Sequence, residues 1–256
     1  MITALKRYGQ NFLTDKNILA LMVKRSGVSD SDCVLEIGPG HGVLTRALLA
    51  EGVKCLHAVE LDERFRPELE ELAENDSRLI LHWGDAVKFD YASLSPFPSK
   101  VIANIPYNIT TPLIWNLLKY SHLGLTYHLY MLQKEAAERL TAPPDTKARY
   151  PLGVAVEAVG RAVIVRKVPR ECFRPVPKVE SAIVEIRIDR RTDLACSDTW
   201  SELLHRGFAH RRKTLAGNLK GFADAGEFGS MRAEDLTCDE WLKIYGAMNA
   251  QNLDAK

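Results

Sequence analysis

Apolar and polar positions alternate along the first two-thirds of the chain in a way that predicts strands and helices in turn. Short apolar runs are each followed by a longer stretch in which apolar residues recur every few positions. The short runs predict buried strands, and the longer stretches predict amphipathic helices. The strands are predicted at 33–37, 54–60, 79–83, 100–104 and 125–133, and the helices at 42–50, 63–74, 111–120 and from 134 onward. This order predicts an α/β fold with a parallel sheet and helices on both faces.

The remaining segments follow other patterns. Residues 10–13 are interpreted as the lead-in to a helix, and the polar, proline-containing segment 141–150 predicts a loop. The later stretches predict an apolar helix at 152–159, strands at 162–168 and 181–188, and short helices at 199–208, 214–219 and 239–246. We therefore predict two domains, residues 1–190 with the sheet and residues 191–256 with helices.

Composition and charge narrow the class of protein. Hydrophobic residues make up 46% and charged residues 26%, which is ordinary for a globular protein, and no apolar run approaches the roughly 20 residues of a membrane span. The first residues lack the apolar core of a signal peptide. The five cysteines are scattered without a C-x-x-C pair, so we expect neither a metal site nor disulfides, and a cytoplasmic location.

Charge is distributed unevenly around a net value of +1. Residues 51–90 carry 5 Lys/Arg and 11 Asp/Glu, a balance of −6, whereas residues 161–213 carry 13 and 7, a balance of +6. Such asymmetry allows one face to meet phosphates. Two ordinary solvated faces are the alternative, and charge alone does not decide between them.

A glycine-rich loop, Glu36-Ile37-Gly38-Pro39-Gly40-His41-Gly42, follows the first predicted strand of the sheet and opens a helix. That context is typical of a nucleotide site, and the glycine spacing fits S-adenosylmethionine better than a dinucleotide pyrophosphate. Glu60 and Asp85 end the next two strands, where carboxylates can bind ribose hydroxyls and an adenine amine. A tight turn with incidental acids is the alternative, but three strand-end features in order favour the cofactor site.

The run Asn104-Ile105-Pro106-Tyr107 closes the fourth strand and predicts the chemistry. Hydrogen bonds from an exocyclic amine to the Asn104 side chain and the Ile105 carbonyl would direct the nitrogen lone pair at a methyl donor. Tyr107 would stack on the base, a contact worth about 1–3 kcal/mol. A strand-ending turn with a core tyrosine is the alternative. With the glycine loop upstream, the run predicts methylation of a base amine, with Asn104, Ile105, Pro106 and Tyr107 as catalytic residues.

These motifs stand in the order found in the small-subunit ribosomal RNA adenine N6,N6-dimethyltransferases, a family that the chain resembles over most of residues 7–220. The matching runs are Gly9-Gln10-Asn11-Phe12-Leu13, the glycine loop, Gly84-Asp85-Ala86, Asn104 to Leu113, Gln133 to Leu140, Phe173 to Ala182 and Arg211 to Leu219. The chain departs from the family at Tyr150-Pro151-Leu152-Gly153-Val154, where Tyr-Gly-Arg-Leu-Ser is usual, and at Thr110-Thr111, where Ser-Thr is usual.

The resemblance implies a Rossmann-like methyltransferase sheet, mostly parallel with an antiparallel last strand, and a small C-terminal helical domain that binds RNA. It also implies that Phe173 braces the target base, although the residues alone predict a core phenylalanine equally well. The residues implied to contact S-adenosylmethionine are Asn11, Leu13, Gly38, Gly40, Glu60, Leu61, Asp85, Ala86 and Asn104.

A basic stretch near residue 210 is the candidate for phosphate contacts. Arg and Lys at a helix end can neutralise phosphates, and a solvated helix end is the alternative. Together with the resemblance, the stretch predicts RNA contacts at Arg206, Arg211, Arg212 and Lys213. The expected partner is the small ribosomal subunit with its 16S rRNA. We expect the protein to act as a monomer and not to bind a membrane.

The predicted function is therefore transfer of methyl groups to N6 of two adjacent adenines near the 3′ end of small-subunit rRNA, as a step of ribosome biogenesis. Three alternatives are a large-subunit rRNA methyltransferase that confers antibiotic resistance, a non-catalytic binding module, and a DNA or small-molecule methyltransferase. The run from Asn104 to Leu113 argues against the first. Intact Glu60, Asp85 and Asn104 argue against the second, and the basic stretch disfavours a small-molecule substrate.

Overall fold

The structure is a computed structural model that describes residues 10–254, with side chains described up to residue 250. Residues 1–9 lie outside this range. They include Gly9 of the first matching run and the residues predicted not to form a signal peptide. Contacts divide the chain into two compact units. The first contains the chain up to Ala137 together with Val163–Arg187, and the second contains Glu138–Ala162 and the chain from Ile188 onward.

A seven-stranded sheet is the main element of the fold. A second sheet pairs two short strands, β1 (Phe12–Leu13) and β8 (Phe173–Arg174), in antiparallel register. The strands of the large sheet are β2 (Cys33–Ile37), β3 (Cys55–Glu60), β4 (Leu79–Trp83), β5 (Lys100–Asn104), β6 (Tyr127–Gln133), β7 (Gly160–Val168) and β9 (Ser181–Ile188). Their order across the sheet is β4-β3-β2-β5-β6-β9-β7.

Helices connect these strands and follow them. Their bounds are α1 (Lys16–Ser26), α2 (Val43–Ala50), α3 (Arg66–Asn75), α4 (Thr110–Leu118), α5 (Lys134–Leu140), α6 (Pro151–Val159), α7 (Thr192–Ala195), α8 (Asp198–Gly207), α9 (Leu215–Leu219) and α10 (Cys238–Asp254). Helix α3 begins later than predicted because Pro67 occupies its first turn and a 3₁₀ turn, Glu63–Phe65, precedes it. In the part of the chain that the structure describes, no helix is both long and apolar enough to cross a membrane.

The sheet register confirms the predicted α/β fold. Strands β4, β3, β2, β5 and β6 are parallel, and β9 runs antiparallel to β6. The chain builds outward from β2 in one direction through β3 and β4, and in the other direction through β5 and β6. Such a reversal opens a crevice at the carboxyl ends of the strands, where open α/β sheets bind ligands.

The prediction that residues 10–13 lead into a helix is wrong, because these residues include strand β1. Asp15 supplies the helix N-cap instead, and its carboxylate accepts from the backbone N–H of Asn17 and of Ile18. Pairing with β8 in Phe12↔Arg174 and Leu13↔Phe173 register forms the strand. This partner is distant in sequence, so no local pattern indicates it.

Burial of both faces of the sheet explains why the apolar runs are continuous, as β2 and β3 are buried at every position. Parallel strands covered on both faces carry few polar positions. Val34, Leu56 and Ile102 from the strands pack with Met22 of α1 and Leu48 of α2, and all five are fully buried. Removing one such side chain costs about 2–5 kcal/mol of stability.

The second unit is organised around α6. It therefore includes residues 138–162, which the predicted boundary at residue 190 assigns to the first domain. Residues 138–162 cluster with the C-terminal helices because α6 is buried along most of its length and packs against α8 and α10. A Cβ on Gly153 would lie 2.6 Å from the Arg139 carbonyl oxygen, so this position requires glycine. Pro151 occupies the first turn of α6, where proline is favoured. Pro151 and Gly153, which lie where the chain departs from the family pattern, thus both fit the local structure of α6.

A buried arginine anchors the loop at residues 141–150 within this second unit. The Arg149 side chain is 1% exposed, and its Nε donates to the Leu236 carbonyl at 3.0 Å. Its Nη1 donates to the Ala142 carbonyl at 3.0 Å and to the Glu157 carboxylate at 2.9 Å. A buried side chain near the C-terminal end of the loop therefore holds the loop within the unit.

Candidate active site

A cleft with about 810 Å³ of empty space, partly open to solvent, lies at the carboxyl ends of the parallel strands. Its walls are the turns that follow β2, β3, β4 and β5, together with residues beside β1. The predicted site residues that line it are Asn11, Gly38, Gly40, Glu60, Leu61, Asp85, Ala86, Asn104, Ile105, Pro106 and Tyr107. The structure thus brings together motifs that are far apart in the chain.

The glycine loop after β2 forms the floor of the cleft. Gly38 and Gly40 have φ values of +66° and +54°, in the left-handed region that side chains disfavour. A Cβ on Gly40 would also lie 3.3 Å from Cε1 of Phe12. The loop therefore brings bare backbone to the cleft, which suits close approach of a ligand.

Glu60 connects two loops through its carboxylate. Oε2 accepts from the Gly40 N–H at 3.0 Å, and Oε1 accepts from the Leu61 and Asp62 N–H groups at 2.9 and 2.8 Å. Burial raises the pKa of Glu60, although these N–H donors favour the charged form. A carboxylate offers about four acceptor positions, so it retains capacity for a ribose hydroxyl.

A second buried carboxyl lies in β2 beneath the glycine loop. Burial raises the pKa of Glu36 to about 8, with a contribution from Glu60, and the Thr45 hydroxyl donates to Oε2 at 2.7 Å. Glu36 is therefore mostly neutral at pH 7. It supports the loop from the core and is absent from the described residues that line the cleft.

The adenine end of the predicted cofactor site combines a carboxylate with an apolar side chain. Asp85 is half-buried, and its Oδ1 accepts from the Val87 N–H at 2.9 Å, which fixes the side chain at the end of β4. The Tyr91 hydroxyl donates to the Ala86 carbonyl at 2.7 Å. Leu61 is 49% exposed at the rim, an apolar surface suited to a flat ring.

Asn104 ends β5 with its side chain oriented by the N-terminal segment. Nδ2 donates to the Asn11 carbonyl at 3.0 Å, so the amide oxygen remains the acceptor for a ligand. The Ile105 N–H donates to the Met131 carbonyl at 3.2 Å and fixes the turn that follows. The Tyr107 hydroxyl lies 2.7 Å from Oγ of Ser181, and burial raises the pKa of Tyr107. Tyr107 is therefore neutral and held by its hydroxyl, with its ring at the cleft.

Two predicted residues are not among the described residues that line the cleft. Phe173 is fully buried in the hydrophobic core with Ile18 and Met22, so its side chain does not brace a base in this structure. Leu13 pairs with Phe173 and packs against the same core. Successive side chains of a strand point to opposite faces, which explains why Phe12 lines the cleft and Leu13 does not.

Sequence reasoning missed several other residues of the cleft. These are Gln10, Phe12, Ile37, Val59, Asp62, Phe65, Gly84, Asn108 and Ile109. Alternation along β1 would have indicated Phe12 if the strand had been recognised. Asp62 stands two residues after Glu60 on the same turn, which is the one local signal for it.

The predicted RNA-binding residues lie around the end of α8, within the second unit, and they differ in environment. Arg206 is paired with Glu202 at 2.6 Å and lies over the Phe222 ring. Arg211 donates to the Lys147 carbonyl at 2.6 Å. Arg206 is nevertheless exposed, as are Arg212 and Lys213 in the turn that follows the helix.

The structure also brings Cys33, Cys55 and His57 together, with their ligand atoms within 4.8 Å of one another. The Cys33 thiol and the His57 Nε2–H both donate to the Pro96 carbonyl, at 3.3 and 2.9 Å. Burial raises the pKa of the Cys33 thiol, which opposes the thiolate that a metal requires. We interpret the cluster as buried core residues, two of which hydrogen-bond to the same carbonyl.

Comparison with known proteins identifies the family. The sequence profile described as ribosomal RNA adenine dimethylase matches residues 1–249. The chain belongs to the ribosomal RNA adenine dimethylase family. It is 40% identical to the ribosomal RNA small subunit methyltransferase A of Chromobacterium violaceum, over 93% of each chain, and 38% identical to that of Rubrobacter xylanophilus, over 94% of this chain and 93% of the relative.

Two solved structures agree with the fold of this chain. A dimethyladenosine transferase from Plasmodium falciparum superposes with a TM-score of 0.81 at 27% identity, over 94% of this chain and 98% of that one. The 23S rRNA methyltransferase ErmE superposes with a TM-score of 0.68 at 23% identity, over 93% of this chain and all of that one, which shows a shared fold. Family membership confirms the prediction of an enzyme that uses S-adenosylmethionine to methylate adenine in ribosomal RNA.

Proposed function

We propose that this enzyme methylates N6 of two adjacent adenines near the 3′ end of small-subunit ribosomal RNA, each twice. The observation that carries the proposal is the geometry of Asn104 at the end of β5, where the Asn11 carbonyl accepts from Nδ2 and the amide oxygen is left to bind an amine. The relatives named small subunit methyltransferase A support the choice of substrate.

The cleft residues fit S-adenosylmethionine on structural grounds. Gly38 and Gly40 admit the cofactor close to the backbone, Glu60 offers a carboxylate to ribose hydroxyls, and Asp85 offers one to the adenine amine. The cofactor supplies an electrophilic methyl group. Because Glu60 is fixed by backbone N–H groups on two loops, its carboxylate needs no reorganisation when a ligand binds.

The target amine is activated by position rather than by a strong base. The lone pair of an aromatic amine is delocalised into the ring, so the amine is a poor nucleophile. Hydrogen bonds from the amine to the Asn104 oxygen and the Ile105 carbonyl favour a pyramidal nitrogen with a directed lone pair. Tyr107, held by Ser181, supplies a fixed stacking face. Methyl transfer would leave S-adenosylhomocysteine and an acidic alkylated nitrogen, whose proton would pass to water because the cleft is partly open to solvent.

RNA contacts in this proposal come mainly from Arg212 and Lys213, which are exposed. Arg206 and Arg211 contribute less because each already has a protein partner. The target base is unstacked and inserted into the cleft, which favours a loop over a continuous duplex. We propose that the enzyme acts as a monomer in the cytoplasm, and its free cysteines are in keeping with a reducing compartment.

The decisive experiment measures methyl transfer from labelled S-adenosylmethionine to unmethylated small subunits, large subunits and naked RNA, with products identified by mass spectrometry. We expect N6,N6-dimethyladenine at two adjacent positions, in small-subunit RNA alone. Label confined to large-subunit RNA would overturn the substrate assignment. Bound cofactor with no label in any RNA would instead indicate a binding module.

A further inference from the structure

A short segment, residues 10–13, touches both halves of the candidate active site, and we call it the strap. At one end, Nε2 of Gln10 donates to Oδ2 of Asp62 at 2.8 Å. One residue later, the Asn11 carbonyl accepts from Nδ2 of Asn104 at 3.0 Å. Asp62 lies on the turn after β3, whereas Asn104 ends β5. The strap therefore bridges the turn of the cofactor site and the residue proposed to bind the target amine.

Aromatic contacts seat the strap on the glycine loop. The Phe12 ring lies edge-on to His41 and Phe65, with centroids 5.0 and 5.9 Å away. A Cβ on Gly40 would come within 3.3 Å of this ring, so the glycine allows Phe12 to lie close. These contacts fix the distance between the strap and the glycine loop, but they do not fix the orientation of any polar group.

The polar contacts form a continuous path from the glycine loop to Asn104. Glu60 accepts from the N–H groups of Gly40 and Asp62, at 3.0 and 2.8 Å. The Asp62 side chain is 5% exposed and is held by Arg64, whose Nε and Nη2 donate to it at 2.9 and 2.6 Å. Arg64 holds the pKa of Asp62 at about 2, so this residue is a carboxylate throughout the working range. The next step of the path is the contact of Asp62 with Gln10.

We propose that Asp62 and Gln10 are positioning residues whose hydrogen bond, which we call the latch, holds the strap against the turn after β3. The strap, held in this way, orients the Asn104 amide so that its oxygen faces the target amine. A side-chain amide can adopt two flipped orientations. The Asn11 carbonyl can only accept, so it selects the orientation with Nδ2 toward the strap. This inference rests on the proposed function, because that function gives the Asn104 oxygen its role.

The latch also couples cofactor binding to the orientation of Asn104. A ligand that binds Glu60 restrains the turn that carries Asp62, and Asp62 restrains Gln10. Cofactor binding should therefore order the strap before RNA arrives. The proposed coupling passes through a series of hydrogen bonds between neighbouring residues, and each bond can be tested by substitution.

The first test is a double-mutant cycle with Gln10→Ala and Asp62→Ala. We expect each substitution to lower kcat, measured at saturating cofactor, by about 10–100-fold, because misplacement of a reacting group by about an ångström has such effects. The double variant should fall no further than the less active single variant, since both substitutions remove the same hydrogen bond. Losses that simply add would overturn the latch.

Two further variants separate positioning from general destabilisation. Asp62→Asn keeps an acceptor for Gln10, so it should recover most of the kcat that Asp62→Ala loses. Glu63→Ala is the matched control on the same turn, because the Glu63 side chain is 71% exposed and should leave kcat unchanged. A loss in Asp62→Asn as large as in Asp62→Ala would contradict the proposed hydrogen bond.

A second readout needs no methyl transfer. Hydrogen–deuterium exchange of residues 10–15 is measured with and without S-adenosylhomocysteine, the product of the cofactor. Protection is expected in the wild type and in Glu63→Ala, and should be lost in Asp62→Ala at saturating ligand. Equal protection in all three proteins would overturn the inference. A wild type that protects the strap but methylates no RNA would count against the proposed function and leave the latch standing.

Discussion

Sequence motifs predict site residues in both the cofactor cleft and the second unit, but the two regions differ in how the predicted side chains are placed. In the cleft, most of the predicted residues line one space, because all of them except Asn11 lie at or just after the end of a parallel strand. In the second unit, predicted RNA contacts such as Arg206 and Arg211 are engaged with protein groups. A motif at a strand end is placed by the topology of the sheet. A basic residue on a helix end is placed by packing that the local sequence does not show.

Carboxylates and arginines differ in how far their position in the fold predicts their role. A carboxylate such as Glu60 is informative because its position at the end of β3 leaves few alternatives. An arginine carries a long side chain and several donors, so it can hold a loop as readily as it binds a phosphate. Arg149 and Arg211 are examples of the first use, and Arg212 is the better candidate for the second.

The largest expected effect is at Asn104. Asn104→Ala removes the acceptor for the target amine and should lower kcat by about 10²–10³-fold, with the melting temperature nearly unchanged. Asn104→Asp should be similarly impaired, because it places a carboxylate against the Asn11 carbonyl. Asn17→Ala, at an exposed asparagine of α1 that does not line the cleft, is the matched control and should retain activity. Near-normal methylation by Asn104→Ala would sink the proposed role.

A stability effect of intermediate size is expected in the second unit. Arg149→Met keeps an apolar stem but deprives the Leu236 and Ala142 carbonyls of their donor, at about 1–3 kcal/mol for each. Chemical denaturation should show this loss, while Lys147→Ala, at an exposed residue of the same loop, should show little. If Arg149→Met were as stable as the wild type, the loop would not depend on its buried arginine.

The fold could be predicted from sequence further than the site, for a physical reason. The βαβ order fixes a parallel sheet, so the positions of Glu60, Asp85 and Asn104 follow from the strand ends alone. Strand β1 depends on pairing with β8, at the other end of the catalytic unit's sequence, and no periodicity reports such a partner. The same pairing buries Phe173, which the motif alone left between two interpretations.

A smaller, pH-dependent effect tests the support beneath the glycine loop. Because burial raises the pKa of Glu36 to about 8, the folded protein binds this proton more tightly than the unfolded chain, whose ordinary value is 4.5. The stabilisation is fully present below pH 4.5 and is lost as the pH rises through about 8. Glu36→Gln should therefore flatten the fall in stability between pH 6 and roughly pH 9, measured by urea denaturation. Parallel pH profiles in the two proteins would contradict a neutral Glu36.

The smallest effect expected is on RNA affinity, and it separates the two uses of arginine directly. Replacing exposed Arg212 and Lys213 together by alanine should weaken RNA binding and lower the slope of log K against log salt by about 0.7 for each phosphate that is no longer neutralised. Arg211→Ala should mainly lower stability, because it removes the donor to the Lys147 carbonyl, and should leave the salt slope nearly unchanged. Titration of labelled RNA at several salt concentrations, with melting temperatures on the same samples, measures both. A large change of slope in Arg211→Ala would show that its protein partners give way to phosphate when RNA binds. In that case the difference between the cleft and the second unit would describe the free enzyme alone.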